Sequence, residues 1–407
     1  MHKKNKTIPY IWLAGLSMLG FLATDMYLPA FDVIRQDLGT SQQMIGWSLT
    51  IFLFGMAGGQ LVYGPLSQRF GKKLILSSSL LVFSLGSIIC ALSTHIEWLL
   101  LGRLIQALGA CGSTIIWQSY VMEKYDAKTS QRIFATIMPL VALSPALAPL
   151  LGAVLETHLG WQTIFYTLIL IGSMLMLRAN LIDFSIPQKT NVANTENKKE
   201  KSVIEQYVYI LKSKKFTGNM LIYATCSAAF FAWLTGSPFA MTAMGYSGTD
   251  IGFSYLPQTI AFIIGGYTCR SFLNKYASQQ ILPWLLKLFI ASVIVMFIVA
   301  TKFTSNSIIP LLIPMCFMAM ANGAIYPIVA NRALSDFSDN SASAAGLMNF
   351  LQMMFCVVAS GIVSALSEYG VVAMTSVMLA QAILVMIGYR LIAKTNKAEV
   401  LEMSKAV

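Results

Sequence analysis

The chain has 407 residues, of which 56% are hydrophobic and only 11% are charged. A soluble domain carries about 25% charged residues, so this composition excludes a soluble globular protein. A mean hydropathy of +0.67 indicates an integral membrane protein, and the net charge of +11 raises the question of whether the cations bind nucleic acid or a membrane surface.

Twelve apolar segments follow one another along the chain, and each is close to the length of about 20 residues that spans a bilayer as a helix. We expect them at residues 8–32, 43–66, 73–93, 97–122, 132–155, 161–182, 217–241, 250–272, 281–301, 308–333, 341–366 and 371–394. The first run is too long for the core of a cleavable signal peptide. The predicted fold class is therefore an all-α integral membrane protein with twelve transmembrane helices.

Segment 1 contains Asp25, which is the only acidic residue predicted away from the ends of a spanning segment. A carboxylate in hydrocarbon costs several kcal/mol, so chains place one there for a use. An acid that takes and releases a proton is the simplest coupling device for a transporter. We therefore predict Asp25 as a proton-coupling residue.

The loop between segments 2 and 3 reads GPLSQRFGKK at 64–73. Its glycines permit a tight turn, and its cations can bind the last carbonyls of a helix. The residues that we single out in this loop are Gly64, Gln68, Arg69, Gly71 and Lys72.

Segment 4 carries Arg103, an intramembrane cation that needs an acceptor or water. Segment 1 leaves the membrane near residue 32 and segment 4 enters from the same side near residue 97, so Asp25 and Arg103 both lie roughly 9–11 Å deep at 1.5 Å per residue. Two roles remain open and do not exclude each other. Arg103 pairs with Asp25, directly or through water, or it caps backbone carbonyls.

A polar stretch at 183–216 separates two sets of six segments of nearly equal length. The predicted organisation is a first six-helix bundle at 1–182, a linker at 183–216 and a second six-helix bundle at 217–407. Such halves commonly rock about a central site and give alternating access. Within the linker, the apolar run 203–211 between lysines predicts either a short helix on the anionic inner leaflet or a solvated connector.

The distribution of lysine and arginine gives the orientation. All but three of the 28 fall in the tails or in the loops on the same side as the tails. The exceptions are Arg35 and Lys302 on the other side and Arg103 within segment 4. Both termini are therefore expected in the cytoplasm, and the positive charge indicates a lipid bilayer as partner, with no nucleic acid.

Several amide and aromatic side chains interrupt the apolar segments. A purine offers a face that stacks on an aromatic ring and edges that an amide can bind, whereas interhelical hydrogen bonding is the alternative role for each of these residues. The predicted substrate-binding set is Asp25, Tyr27, Trp117, Gln118, Trp233, Gln258, Asn322, Tyr326, Asn349 and Gln352.

These motifs carry a family resemblance. The loop at 64–73 resembles the signature G-x-L-[AS]-D-R-x-G-[RK]-[RK] of the major facilitator superfamily, with Gln68 in place of the usual Asp. The run 103–112 is similar to the family pattern R-x-x-Q-G-x-G, with Ala107 in place of the first Gly. The proline-rich run 139–152 resembles the segment-5 signature of the antiporters, with Ser144-Pro145 in place of Gly-Pro, so it does not decide between antiport and symport.

The stretch 19–31 resembles the drug/proton antiporter branch that includes the Bcr/CflA exporters of bicyclomycin and chloramphenicol. Stretches 223–238, 256–267 and 321–329 resemble purine nucleoside transporters of that subfamily. The resemblance implies two six-helix bundles, a monomer in the bacterial inner membrane, and a role for Asp25 in binding both proton and cargo. It implies that the loop acts as a conformational latch, which Gln68 weakens because it cannot form the ion pair of an Asp.

The function predicted from the sequence is proton-coupled secondary transport of a small molecule, with purine nucleosides such as adenosine and inosine as the first cargo. The alternative is a multidrug proton antiporter for compounds such as chloramphenicol or bicyclomycin. An enzyme or channel is disfavoured because no phosphate-binding loop, metal-ligand cluster or catalytic triad is present. No cofactor or metal is expected, the proton gradient being the energy source. The direction of cargo movement stays open.

Overall fold

The computed structural model describes residues 9–182, 184, 203–273, 275–302, 307–337 and 341–405. These residues form fourteen α-helices and no β-strand. Helices of the first half are α1 (Tyr10–Asp25), α2 (Phe31–Asp37), α3 (Gln42–Phe70), α4 (Lys72–Ala91), α5 (Ile96–Lys124), α6 (Ala127–Leu159) and α7 (Gln162–Leu181). Helices of the second half are α8 (Val203–Lys212), α9 (Lys214–Ala243), α10 (Gly248–Leu273), α11 (Ser278–Lys302), α12 (Ile309–Leu334), α13 (Ser341–Ala365) and α14 (Gly370–Lys405).

Ten of the described spans are long and apolar enough to cross a membrane, and α6 makes eleven if its two bent parts count as one span. The bend of 41° in α6 lies between Met138 and Leu143, where Pro139 removes a backbone N–H. The helix expected at 250–272 forms as α10 and has 26 residues. It is not among the helices whose composition is apolar enough to cross a membrane. The prediction of twelve transmembrane helices stays a prediction.

The first predicted helix is interrupted, which the sequence analysis did not anticipate. Helix α1 ends at Asp25, a short 3-10 turn follows at Leu28–Ala30, and α2 continues from Phe31. Pro29 stands in that turn and cannot donate a backbone hydrogen bond, which explains why a regular helix does not pass through it. The last carbonyls of α1 are therefore free to accept hydrogen bonds from side chains.

The helices of each half pack mainly on one another, and the two halves meet at one end of the molecule. The ring of Phe31 after α1 lies 5.2 Å from that of Phe239 near the end of α9. Gly248, at the start of α10, lies against the backbone of Pro29, and Gly252 lies against that of Pro149. Because these contacts join the late parts of α1, α6 and α9, the starts of α1 and α9 lie at the opposite end of the molecule. The end of α14 packs beside the start of α9, through Ile392 and Gly218, so the first and last described helices reach that same opposite end.

Helices α3 and α13 show where the two halves separate. They run antiparallel: Gly46 lies against Ser364, and the Thr50 hydroxyl is 2.8 Å from that of Ser360. Two further residues follow at helical spacing on that face of α3. Phe54 is 53% exposed, and a Cβ atom at Gly58 would meet no atom within 4 Å. The halves are thus closed at the end away from the termini and open towards the end that carries them.

Helix α8 confirms the short helix expected at 203–211, and the structure adds where it docks. Ile210 is fully buried with Phe216 and Phe337 against the second half, and Ser343 at the start of α13 donates a hydrogen bond to Gln206 at 3.2 Å. Val208 and Tyr209 remain exposed. The remainder of the predicted linker, at 185–202, lies outside the described residues.

Glycines allow the closest helix crossing of the second half, between α10 and α12. A Cβ at Gly323 would collide with the backbone carbonyl of Phe262, and one at Gly265 with that of Met320. Small residues at such crossings let backbones approach and pack in a membrane, where no hydrophobic effect drives helices together.

We expect Gly323→Ala to destabilise the protein by about 1–3 kcal/mol, because the added methyl group forces two packed backbones apart. Thermal unfolding of the purified protein in detergent measures the effect. Gly58→Ala is the matched control, since its methyl group would point into open space. Equal unfolding temperatures for the two variants would contradict the close crossing.

Candidate functional site

Asp25 lies at the boundary between the two halves. It is the last residue of α1 and is only 3% exposed, and its Oδ2 atom has no hydrogen-bond partner among the described residues. The carboxyl group lies near Tyr255 of α10, on the other half. The Tyr255 hydroxyl in turn lies 3.2 Å from that of Ser237 on α9. The sequence analysis did not single out Tyr255, because no local pattern distinguishes it from the other aromatic residues of the apolar segments.

Arg103 is fully buried and binds the end of α1. Its Nη1 donates to the carbonyl of Ala23 at 2.8 Å and to the side-chain oxygen of Gln106 at 2.6 Å. Its guanidinium lies between two rings, 4.7 Å from the centre of Tyr27 and 4.2 Å from that of Phe52. Cation–π contacts of this kind are worth about 2 kcal/mol when they are desolvated.

The direct ion pair considered between Asp25 and Arg103 does not form. Within the described part of the chain Arg103 instead caps a free carbonyl at the C-terminus of α1, where a cation is favoured by the helix dipole. The break after α1 gives Arg103 a carbonyl to bind, and the similar depth of the two residues stays a prediction. Gln106 extends the arrangement, because its Nε2 donates to Ser87 on α4 at 2.8 Å.

Two predicted cargo residues of the first half lie inside its packed interior. Tyr27 is fully buried, and its hydroxyl lies 2.7 Å from that of Ser48. Trp117 is 1% exposed and packs its ring 5.1 Å from that of Phe134. In this conformation both side chains stabilise the first half and neither faces the opening.

The second half brings one amide and one aromatic residue of the predicted set together, Gln352 and Tyr326, with a second tyrosine beside them. Gln352 Nε2 donates to the hydroxyl of Ser227 at 3.0 Å, and that hydroxyl lies 3.2 Å from the hydroxyl of Tyr326. The ring of Tyr223 lies 5.2 Å from that of Tyr326 in an edge-to-face contact. Gln352 and both tyrosines are half-buried, which suits the wall of a cleft. Ser227 and Tyr223 were not in the predicted set, although both lie in the stretch 223–238.

The remaining predicted cargo residues differ in exposure. Asn322 donates weakly to the carbonyl of Cys226 at 3.4 Å, and Gln258 donates to that of Ser254 at 2.9 Å. The side-chain oxygen of each amide and Nε1 of Trp233 are buried and have no partner among the described residues. Gln118 is exposed and Asn349 is half-buried, and neither joins the cluster around Tyr326.

The loop between α3 and α4 is a sharp turn held by two lysines. Gly71 has φ of +85°, a conformation that favours glycine. Lys72 forms an ion pair with Glu123 at the end of α5, and Lys73 Nζ donates to the carbonyl of Asn180 at 3.0 Å. Of the other residues expected in this loop, Gly64 and Arg69 lie in the last turns of α3. Arg69 lies 5.3 Å from the ring of Phe70, and the Gly64 carbonyl accepts from Ser67 at 2.8 Å. The side chain of Gln68 lies outside the described residues.

Neutral hydroxyl groups join the two halves at the closed end. The Ser360 hydroxyl lies 2.8 Å from that of Thr50 on α3 and accepts from Thr235 on α9 at 2.9 Å. All three residues are almost completely buried. We call Thr50, Thr235 and Ser360 the hydroxyl bridge.

A helical protein with apolar spans, a cleft closed at one end and a buried carboxylate at the closure has the architecture of a secondary transporter. The family profile described as Major Facilitator Superfamily matches residues 13–363, and the chain belongs to that family. It is therefore a transporter and not an enzyme.

Three similar proteins illustrate the relationship. A chloramphenicol resistance protein of Pseudomonas aeruginosa is 28% identical over 80% of this chain and 76% of its own length. A bicyclomycin resistance protein homolog of Haemophilus influenzae is 24% identical over 86% of each chain. The crystal structure of a bacterial homolog of the human lysosomal transporter Spinster, inward-facing and unoccupied, superimposes with a TM-score of 0.73 at 15% identity, over 95% of this chain and 97% of that one. The last likeness concerns the fold alone.

We expect Arg103→Lys to lower stability by roughly 2–3 kcal/mol, because an ammonium group cannot keep both hydrogen bonds and both ring contacts. Thermal unfolding in detergent is the measurement. Arg35→Lys is the control, since Arg35 is partly exposed and its ion pair with Asp32 is available to a lysine. If both variants unfold at the wild-type temperature, Arg103 does not hold the end of α1.

We expect the double variant Thr50→Cys/Ser360→Cys to form a disulfide on mild oxidation, because disulfides need Cα atoms about 4.4–6.8 Å apart and the native hydroxyls are 2.8 Å apart. The crosslink should stop transport, and a reductant should restore it. Gly58→Cys with Met353→Cys, one residue from the same antiparallel register and near the open end, is the control and should crosslink far less. Full transport by the oxidised first variant would show that this end does not need to open.

Proposed function

We propose that the protein is a proton-coupled secondary transporter that moves a small organic molecule by alternating access. The observation that carries the proposal is the position of Asp25: a buried carboxyl group without a hydrogen-bond partner for Oδ2, placed where the two halves close on each other. Opening this end would bring water to the carboxyl group and let it exchange a proton. Closing it would seal the group again, so proton exchange and the movement of the halves are linked.

The orientation follows from the lysine and arginine distribution. With the termini in the cytoplasm, the closed end faces outward and the cleft opens inward. The proposal includes twelve transmembrane helices in two bundles, at 1–182 and 217–407, in the bacterial inner membrane. The protein works as a monomer and uses the proton gradient without a cofactor. Arg103 acts on coupling indirectly, by fixing the end of α1 next to Asp25.

Purine nucleosides are the first proposed cargo. The cluster of Tyr223, Tyr326, Ser227 and Gln352 supports this choice, because it combines ring faces for stacking with an amide and hydroxyls for the edges of a base. Stretches 223–238, 256–267 and 321–329, which resemble the purine nucleoside transporter PunC, contribute three of these four residues. Adenosine and inosine are the compounds to test.

Drug efflux is the second candidate function, and the names of the relatives favour it. Chloramphenicol and bicyclomycin resistance are ascribed to proteins 24–28% identical over most of their length. A cleft wall of half-buried aromatic residues also accepts flat apolar drugs. The two candidates share the same proton step and differ in the cargo alone.

Flux of labelled adenosine and of labelled chloramphenicol into proteoliposomes, under imposed pH gradients of either sign, tests the proposal. We expect adenosine flux that collapses when a protonophore dissipates the gradient. Gradient-driven chloramphenicol flux without adenosine flux would establish the second candidate. Flux of either compound that does not change with the imposed pH gradient would refute proton coupling.

We expect Asp25→Asn to fold and to lose gradient-driven accumulation by at least about tenfold, because an amide cannot carry the proton. Exchange of labelled cargo across the membrane without a gradient separates loss of coupling from loss of binding. Asp32→Asn is the control, since Asp32 lies in the first turn of α2, paired with Arg35. Concentrative transport by Asp25→Asn at the wild-type level would remove Asp25 from the coupling step.

A further inference from the structure

Two buried polar groups of the second half, Trp233 Nε1 and Gln258 Oε1, have no hydrogen-bond partner among the described residues. Trp233 is fully buried and Gln258 is 2% exposed. An unsatisfied buried donor or acceptor costs about 1–3 kcal/mol. Such groups in a native protein call for an explanation, and a ligand that binds during the working cycle is one.

Helical spacing places Trp233 and Gln258 on facing surfaces. On α9, Cys226, Trp233 and Ser237 repeat at intervals of seven and four residues, which share one helix face. The first and last of these three residues contact two other helices. The Cys226 carbonyl accepts from Asn322 on α12, and the Ser237 hydroxyl lies within hydrogen-bonding distance of that of Tyr255 on α10. Trp233 lies between them, so it faces the same helices.

The same reasoning applies to α10. Tyr255, Gln258 and Phe262 lie on one face at intervals of three and four residues. Tyr255 contacts Ser237 on α9, and the ring of Phe262 lies 6.0 Å from that of Tyr326 on α12. Gln258 therefore lies between the contact with α9 at the closed end and the aromatic cluster. Its orientation is fixed, because its Nε2 donates to the carbonyl of Ser254 and only Oε1 remains free.

We propose that Trp233 and Gln258 form a hydroxyl-binding subsite at the closed end of the cargo site. A hydroxyl group is the simplest group that satisfies both, since one oxygen accepts from Trp233 Nε1–H while its O–H donates to Gln258 Oε1. The cargo then enters with its hydroxyl-bearing end towards Asp25 and Tyr255, and its flat ring rests against Tyr326.

The spacing along α9 suits a two-part cargo. Ser227, which binds Tyr326, precedes Trp233 by six residues, a rise of about 9 Å. A planar ring joined to a hydroxylated group, such as a nucleoside, extends over this distance. The subsite rests on the proposed function for its place in the transport cycle, but it concerns the hydroxylated end of the cargo and applies to nucleosides and to hydroxylated drugs alike.

Two ligand pairs test the subsite with the purified full-length protein in nanodiscs, by competition with a labelled parent compound. Adenosine is compared with 2′,3′-dideoxyadenosine, and thiamphenicol with florfenicol, in which fluorine replaces the primary hydroxyl. In the pair whose parent binds, we expect the hydroxylated member to bind about tenfold more tightly, the effect of one well-placed hydrogen bond.

Gln258→Met should remove this preference by weakening the hydroxylated member about tenfold and leaving the other unchanged. Trp233→Phe, which keeps a ring but loses the N–H, should act in the same direction. Gln381→Met is the matched control, because Gln381 on α14 is also a buried amide with a free side-chain oxygen but lies outside the facing surfaces of α9 and α10. It should keep the preference.

The outcomes are distinct. Binding of the drug pair alone, with the preference lost in Gln258→Met, supports the subsite while the nucleoside cargo fails. Equal weakening of both members of a pair overturns the subsite, and so does an unchanged preference in folded Gln258→Met and Trp233→Phe. A loss of thermal stability without any change in preference overturns the subsite and leaves Trp233 and Gln258 with a packing role alone. Binding of neither pair refutes the subsite and both cargo classes together.

Discussion

The contact between Arg103 and the free end of α1 fixes the geometry on which the rest of the site depends. A buried guanidinium is costly unless it is bound. Here Nη1 binds a helix carbonyl and an amide and the guanidinium lies against two aromatic rings, while Nε and Nη2 have no hydrogen-bond partner among the described residues. The break in α1 supplies the carbonyl, and the aromatic residue Tyr27 follows the break directly. Helix α5 therefore holds α1 in place through its last turn, and the last residue of that turn is Asp25.

Arg103 and Asp25 therefore have separate roles, although the sequence suggested that they could act as an ion pair. The cation of segment 4 has a structural task within the first half, whereas the acid of segment 1 faces the second half, where Tyr255 lies. The cation remains with the half that carries the acid. A rocking motion would change the surroundings of Asp25 while the end of α1 keeps its shape.

Much of the fold was predictable, because span length and apolar composition decide where membrane helices form. The run 103–112 lies where expected, inside α5. Of the loop expected at 64–73 only Gly71 lies outside a helix, because α3 continues to Phe70 and α4 begins at Lys72. The sequence could not predict which partner a buried side chain binds. Tyr27 and Trp117 have the residue types of a cargo site and yet pack inside the first half, since an aromatic ring suits an interior as well as a cleft. Tyr255, Ser227 and Glu123 gained their roles only from contacts across helices.

The hydroxyl bridge has a further consequence for how the two states of the transporter are balanced. Its three members are uncharged, so the free energy that holds the closed end together depends little on ionic strength. Hydrogen bonds between neutral groups contribute about 0.5–1.5 kcal/mol each, and a closure made from a few of them is readily reversed by thermal motion. A gate built from ion pairs would add its own titration and its own salt dependence to the cycle. With neutral groups at the closure, these contacts add no titration of their own to the proton step proposed for Asp25.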